Sequence, residues 1–201
     1  MTTSTLVLLR HGQSVWNQEN LFTGWVDVGL SLQGQKEAEH AHNLLKDFVF
    51  DAVFASALRR AQDTARIAVG KKAIEFEINE ALNERHYGDL QGKNKEECRK
   101  IYGLEQVEQW RRSYDVRPPG GESLKDTCER VLPFFKAKIW PRLKAGQTVL
   151  VSAHGNSLRA LVKYLEDLSD EQIVKVEIPT GVPLVYRLDE HGKIIEKKVL
   201  T

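Results

Sequence analysis

Apolar residues follow two rhythms along this chain. Thr5–Leu9 is β-rich and continuously apolar, the pattern of a strand covered on both faces. Ala52–Ala55 and TVLVSA, Thr148 to Ala153, have the same character. From Leu32 to Phe48 the period changes. Ala38, Ala41, Leu44, Leu45 and Phe48 recur at helical spacing, and Ser31 stands where an N-cap belongs. Leu58–Val69, Asn94–Tyr102 and Leu104–Tyr114 read as further helices, whereas Glu75–Lys93 reads as irregular. RPPGGES, Arg117 to Ser123, is the clearest breaker. The next helix is expected from near Glu122 toward Lys144, bent at Pro133. HGNSLRALVKYL then follows an apolar strand as a helix, and VPLVYRL and KIIEKKVL close the chain as two strands with a turn at His191-Gly192. Strands alternating with helices predict an α/β fold. The expected arrangement is a single domain over 1–201, with a mainly parallel central sheet and helices on both faces.

Charge narrows the function. Lys and Arg number 29 against 28 Asp and Glu, a formal net charge of +1, where a nucleic-acid binder should be clearly basic. Cys98 and Cys128 form neither a metal spacing nor a redox motif and read as unpaired thiols of a reducing compartment. The polar start, Met1 to Thr5, is no signal peptide, and the apolar run after it is too short for a membrane. The expectation is a cytoplasmic protein with neither a nucleic-acid nor a membrane partner.

Two strands end in the same way, LVLLRHG and VLVSAHG. In parallel α/β sheets reaction sites lie beyond the C-terminal ends of the strands. If the two strands are neighbours, His11 and His154 converge there. A neutral imidazole with one ring nitrogen tied by a hydrogen bond is a good nucleophile toward phosphorus. The backbone at the turn can supply that tie, and Gly12 is expected to let a phosphoryl group approach the backbone. Transferring phosphoryl groups need surrounding cations. Arg10 is adjacent, and Arg60 follows the Ala52–Ala55 strand. Glu84, read from charge alone, suits a salt bridge to Arg85 as well as proton transfer.

LLRHGQS, SALRRAQDTA and AHGNSLRA together resemble the histidine phosphatase superfamily. Within it, LFTGWVDVGLS, LNERHYGDLQGKNK, QWRRSYDV and IPTGVPLVY look like the cofactor-dependent phosphoglycerate mutases, over Leu6 to about Tyr186. The resemblance implies that His11 becomes phosphorylated and that Arg10, Arg60, His154 and the Asn17 amide form the phosphoryl pocket. Arg59 would be a surface cation. Glu84 would be the proton donor and acceptor. Arg111, Arg112, Lys95 and Tyr87 would hold the substrate's other anionic end, with Ser14, Thr23 and Gly24 adding contacts. Gly155 and Asn156 would line the crevice, Asn156 alternatively serving as a helix cap.

The implied reaction interconverts 3- and 2-phosphoglycerate, primed by 2,3-bisphosphoglycerate, without a metal. Phosphoglycerates would be the partners, and relatives suggest a homodimer. The alternative within the superfamily is a phosphatase of small phosphate esters. Longer mutases carry an extra segment where RPPGGESL bridges directly here, and a tail where this sequence ends at Thr201. Water admitted to the site would turn transfer into hydrolysis. A catalytically dead binding module would lack at least one of Arg10, His11, Arg60, Glu84 and His154, and all five are present.

Overall fold

In the computed structural model, which describes residues 3–71 and 75–201, the first apolar run forms strand β1 (Ser4–Arg10). Met1 and Thr2, where the polar start begins, lie outside the described residues. A short helix α1 (Val15–Gln18), not foreseen from the pattern, follows the strand. Ser14 nucleates it, because its hydroxyl accepts from Asn17 N while the Asn17 side chain accepts from Ser14 N. Helix α2 (Leu32–Leu45) starts at the expected Ser31 cap but ends short of Phe48. The chain turns there and stacks Phe48 on Phe50 at 5.8 Å.

Strand β2 (Ala52–Ala55), helix α3 (Arg59–Val69) and strand β3 (Glu75–Ile78) come next. The third strand corrects the irregular reading of its segment. It is a sheet edge without a fully buried residue, so it shows no apolar run. Helices α4 (Lys95–Tyr102) and α5 (Leu104–Arg112) form a hairpin. Their buried Cys98, Val107 and Trp110 pack with Phe22 and Leu90 in a small separate core.

Helix α6 (Leu124–Phe134) is capped by Ser123 and Asp126. The bend expected at Pro133 takes the form of a π-helical turn, Phe135–Ile139, leading into helix α7 (Trp140–Lys144). Pro133 has no N–H to give Glu129, and Pro141 none to give Ala137, so the α-helical ladder is interrupted on both sides of that turn. Strand β4 (Thr148–Ala153), helix α8 (Gly155–Glu166), the unforeseen helix α9 (Asp170–Ile173), and strands β5 (Pro183–Leu188) and β6 (Ile194–Val199) complete the chain.

The six strands run in the order β3-β2-β4-β1-β5-β6. Pairings β3-β2, β2-β4 and β4-β1 are parallel, while β5 and β6 are antiparallel additions. Alternation along β1 builds two cores. Leu6 and Leu8 face α6, α7 and α8 through Val131, Leu143 and Leu158, while Val7 and Leu9 face α2 and α3 through Ala41, Leu45 and Ala65. Fully burying each such leucine contributes about 1.5–3 kcal/mol. Strands β1 and β4 lie side by side in register, Arg10 opposite Ala153. Their C-terminal ends therefore open at one point of the sheet.

Candidate active site

The strand-end histidines meet as expected. Their ring centroids are 4.9 Å apart with planes tilted by 57°. His11 Nδ1 donates to its neighbour's carbonyl, Gly12 O, at 2.6 Å, which leaves Nε2 as the free ring nitrogen. His11 N donates to Ala153 O at 3.0 Å and ties the loop to the end of β4. Both rings are held well below the usual histidine pKa. For His11 the causes are burial, then the Arg60 and Arg10 charges; for His154 they are burial, Arg60, His11 and Arg10. A neutral ring is the nucleophilic form.

Packing gives a further reason for glycine at position 12. A Cβ there would lie 2.2 Å from Gly34 O, and one on Gly34 would lie 2.0 Å from Gln13 O. The two glycines let α2 press directly on the loop that carries His11.

Arg60 is 1 % exposed at the start of α3, and Arg59 beside it points outward with 63 % of its side chain exposed. Arg60 Nη1 and Nη2 donate to Val26 O and Gly24 O at 2.9 and 2.7 Å. Burial pulls its pKa down to about 10, with Glu84 and Asp27 opposing. Arg10 Nη1 donates to Ile178 O at 2.8 Å. Four buried polar atoms here have no protein partner: Arg10 Nε, Arg60 Nε, Thr23 Oγ1 and His154 Nδ1. Leaving such groups unpaired is costly, and an anion with several oxygens in the cleft would satisfy the two arginine nitrogens and Thr23 Oγ1, which line it, together.

Glu84 is fixed from several sides. Its Oε1 accepts from Arg85 N at 2.8 Å and Asn156 N at 3.0 Å, and its Oε2 lies over Gly155. The salt bridge to Arg85 is not formed, since that guanidinium turns to Tyr87 Oη and Arg111 O at 3.1 and 2.8 Å. Arg130 clasps the carbonyls of Ala81, Asn83 and Glu84 at 2.8–3.0 Å, and Trp25 Nε1 adds a bond to Glu84 O at 2.6 Å. Asn156 is not the helix cap. His154 occupies that position, donating its N–H to Ser157 Oγ at 3.1 Å.

These groups open into a cleft with about 690 Å³ of empty space, part of it continuous with solvent. Thirteen of the fifteen residues singled out from the sequence line it: Arg10, His11, Asn17, Thr23, Gly24, Arg60, Glu84, Tyr87, Lys95, Arg111, Arg112, Gly155 and Asn156. The other two stand behind the wall. His154 backs His11, its Nε2 2.7 Å from Ser56 Oγ, and Ser14 is fully buried as the cap that orients Asn17. At the outer end burial and the charges of Arg111, Arg10 and Arg99 pull the Lys95 pKa down to about 8.

Arg159 and Glu177 also line the cleft and were not singled out. Arg159 stands four residues after Gly155, hence on the same helical face, so its signal was present in AHGNSLRA. Glu177 belongs to no periodic segment and left none. Ser56 opens the SALRRAQDTA motif, where its hydroxyl passed unremarked.

Facing histidines beside the buried Arg60 and the half-buried Arg10, at the C-terminal edge of a mainly parallel sheet, define an α/β protein with an anion-binding site. The chain belongs to the histidine phosphatase superfamily (branch 1), whose family model matches residues 6–200. It is 56 % identical to the 2,3-bisphosphoglycerate-dependent phosphoglycerate mutase of Parvibaculum lavamentivorans, over 97 % of this chain and 95 % of that one. It is also 56 % identical, with the same coverage, to the phosphoglycerate mutase of Schizosaccharomyces pombe. In shape it resembles a mycobacterial glucosyl-3-phosphoglycerate phosphatase complexed with VO3, with a TM-score of 0.84, 26 % identity and 98 % of each chain covered.

Proposed function

We propose that this chain is a 2,3-bisphosphoglycerate-dependent phosphoglycerate mutase that interconverts 3- and 2-phosphoglycerate. The observation that carries the reading is the His11 ring: Nδ1 tied to Gly12 O, Nε2 free, under the charges of the buried Arg60 and the half-buried Arg10. Relatives more than half identical bear the mutase name, whereas the phosphatase of similar shape is about a quarter identical, which favours transfer over hydrolysis. The unpaired donors fit a phosphoryl group, and Lys95, Arg111 and Arg112 fit a second anionic end. 2,3-Bisphosphoglycerate supplies the first phosphoryl group to the resting enzyme.

In this account His11 Nε2 carries the phosphoryl group. Arg10, Arg60, the Asn17 amide and His154 stabilise charge on its equatorial oxygens. Glu84 takes the proton from the substrate's free hydroxyl as that oxygen attacks phosphorus and the Nε2–P bond breaks. After the sugar acid reorients, His11 Nε2 attacks the other phosphorus. Glu84 then returns its proton to the departing oxygen, so the cycle conserves protons and phosphoryl groups. Ser14 acts through Asn17, while Thr23, Gly24, Tyr87, Gly155 and Asn156 shape the cleft. The same reading places a single catalytic domain, 1–201, in the cytoplasm, with a homodimer as its assembly. Among the described residues no helix is long and apolar enough to cross a membrane.

The test follows 2-phosphoglycerate and free phosphate in one tube, from 3-phosphoglycerate and a trace of 2,3-bisphosphoglycerate. Isomerisation with little phosphate, slowed when the bisphosphate is withheld, is the expected result. Phosphate release without isomerisation would replace the mutase with a phosphatase.

A further inference from the structure

Glu177 places a second carboxylate, besides Glu84, in a cleft whose cations are Arg10, Arg60, Lys95, Arg111, Arg112 and Arg159. It lies on the segment between α9 and β5, and that segment is pinned on both sides of it. Arg159 Nε donates to Val176 O at 2.8 Å, and Arg10 Nη1 donates to Ile178 O at 2.8 Å. The Glu177 side chain, 65 % exposed, reaches Arg112 Nη1 with Oε1 at 2.7 Å and Arg159 Nη2 with Oε2 at 3.7 Å. Arg159 is nearly buried, and burial and the Arg112 charge lower its pKa while Glu177 opposes them. Among the described residues Arg112 has no other ion pair, whereas Arg111 pairs with Glu108 at 2.8 Å. The carboxylate thus bridges two like charges from different helices, one of them expected to hold the substrate.

We propose that Glu177 is a built-in competitor for the substrate's non-reacting carboxylate. It offsets one of the two charges of the Arg112–Arg159 pair in the free enzyme and yields when a ligand brings its own carboxylate to that pair. The proposal rests on the phosphoglycerate reading of the cleft and adds a specificity determinant to it. A lone anion at the outer end gains only what it takes from Glu177. A ligand that also engages the phosphoryl end displaces the carboxylate at a small cost, because a half-exposed ion pair shifts an equilibrium by no more than about fivefold. The backbone ties at Val176 and Ile178 confine the exchange to the side chain.

The test is Glu177→Gln, which keeps size and removes charge. The apparent KM for 3-phosphoglycerate should fall by about two- to fivefold at low salt. The gap from wild type should close as ionic strength rises. The ligand-free variant should melt lower, because the two arginines now repel, and should gain more than wild type on adding 3-phosphoglycerate. Glu177→Asp should restore part of the wild-type behaviour. A KM that rises would mean that Glu177 orients Arg112 for the substrate and would overturn the proposal, as would an unchanged KM and melting response. The melting readout needs no turnover, so it separates the two claims. If wild type melts higher with 3-phosphoglycerate yet does not isomerise it, the mutase reading fails while the Glu177 comparison still decides the proposal.

Discussion

Replacing Gly34 with alanine should damage the site more than the fold. The added methyl would sit 2.0 Å from Gln13 O, and ordinary contact begins at 3.4 Å, so helix and loop must part by 3.4 − 2.0 = 1.4 Å. Both partners are backbone, so no side chain can absorb the shift by rotating. Overpacking of this kind costs about 1–3 kcal/mol. Alanine's helix preference returns about 0.5–1 kcal/mol, leaving a net loss of up to roughly 2.5 kcal/mol. The displaced loop carries Gly12 O, which holds His11 Nδ1 at 2.6 Å. A catalytic group moved by about 1 Å loses on the order of a hundredfold in rate. Urea unfolding and the isomerisation assay should therefore separate. Stability should fall modestly and kcat by about 10- to 100-fold, while Gln35→Ala on the exposed side of α2 should change stability by less than about 0.5 kcal/mol. A Gly34→Ala protein with wild-type stability and rate would refute the contact as the support of His11.

Lys95 gives a pH prediction. Its pKa in the free protein is lowered to about 8, and only its charged form attracts the substrate. Above that pH, binding must first supply a proton, so the apparent KM should rise with pH above about 8 in wild type and stay flat there in Lys95→Arg. Parallel profiles would remove Lys95 from substrate binding. Glu84→Gln should lower kcat by on the order of 10²–10⁴ with a small change in KM, since proton transfer is confined to the transition state. Unchanged turnover would rule out the proton-transfer role.

The parts of this molecule visible in the sequence are those set by short-range pattern. Leu6–Leu9 had to be a covered strand, and two strands ending in His-Gly had to meet once β1 and β4 proved adjacent. Long-range contacts hid the rest. Gly12 is glycine because of Gly34, a neighbour only after α2 folds back. Strand β3 shows no fully buried face, so nothing in Glu75–Ile78 announces a sheet edge. Ser14, expected at the substrate, instead holds Asn17, because its hydroxyl sits where a helix needs a cap. Glu177 has meaning only through Arg112 and Arg159, which α5 and α8 bring to it from distant parts of the chain.

The central claim is that His11 Nε2 carries the phosphoryl group and passes it on. The direct measurement is to incubate the protein with 2,3-bisphosphoglycerate, map the modified residue by mass spectrometry under alkaline conditions, and then add 3-phosphoglycerate. The account predicts phosphate on His11 alone, absent from His11→Ala, and discharged to the added acid rather than to water. Phosphate on another residue, or an unmodified protein that still isomerises its substrate, would contradict it.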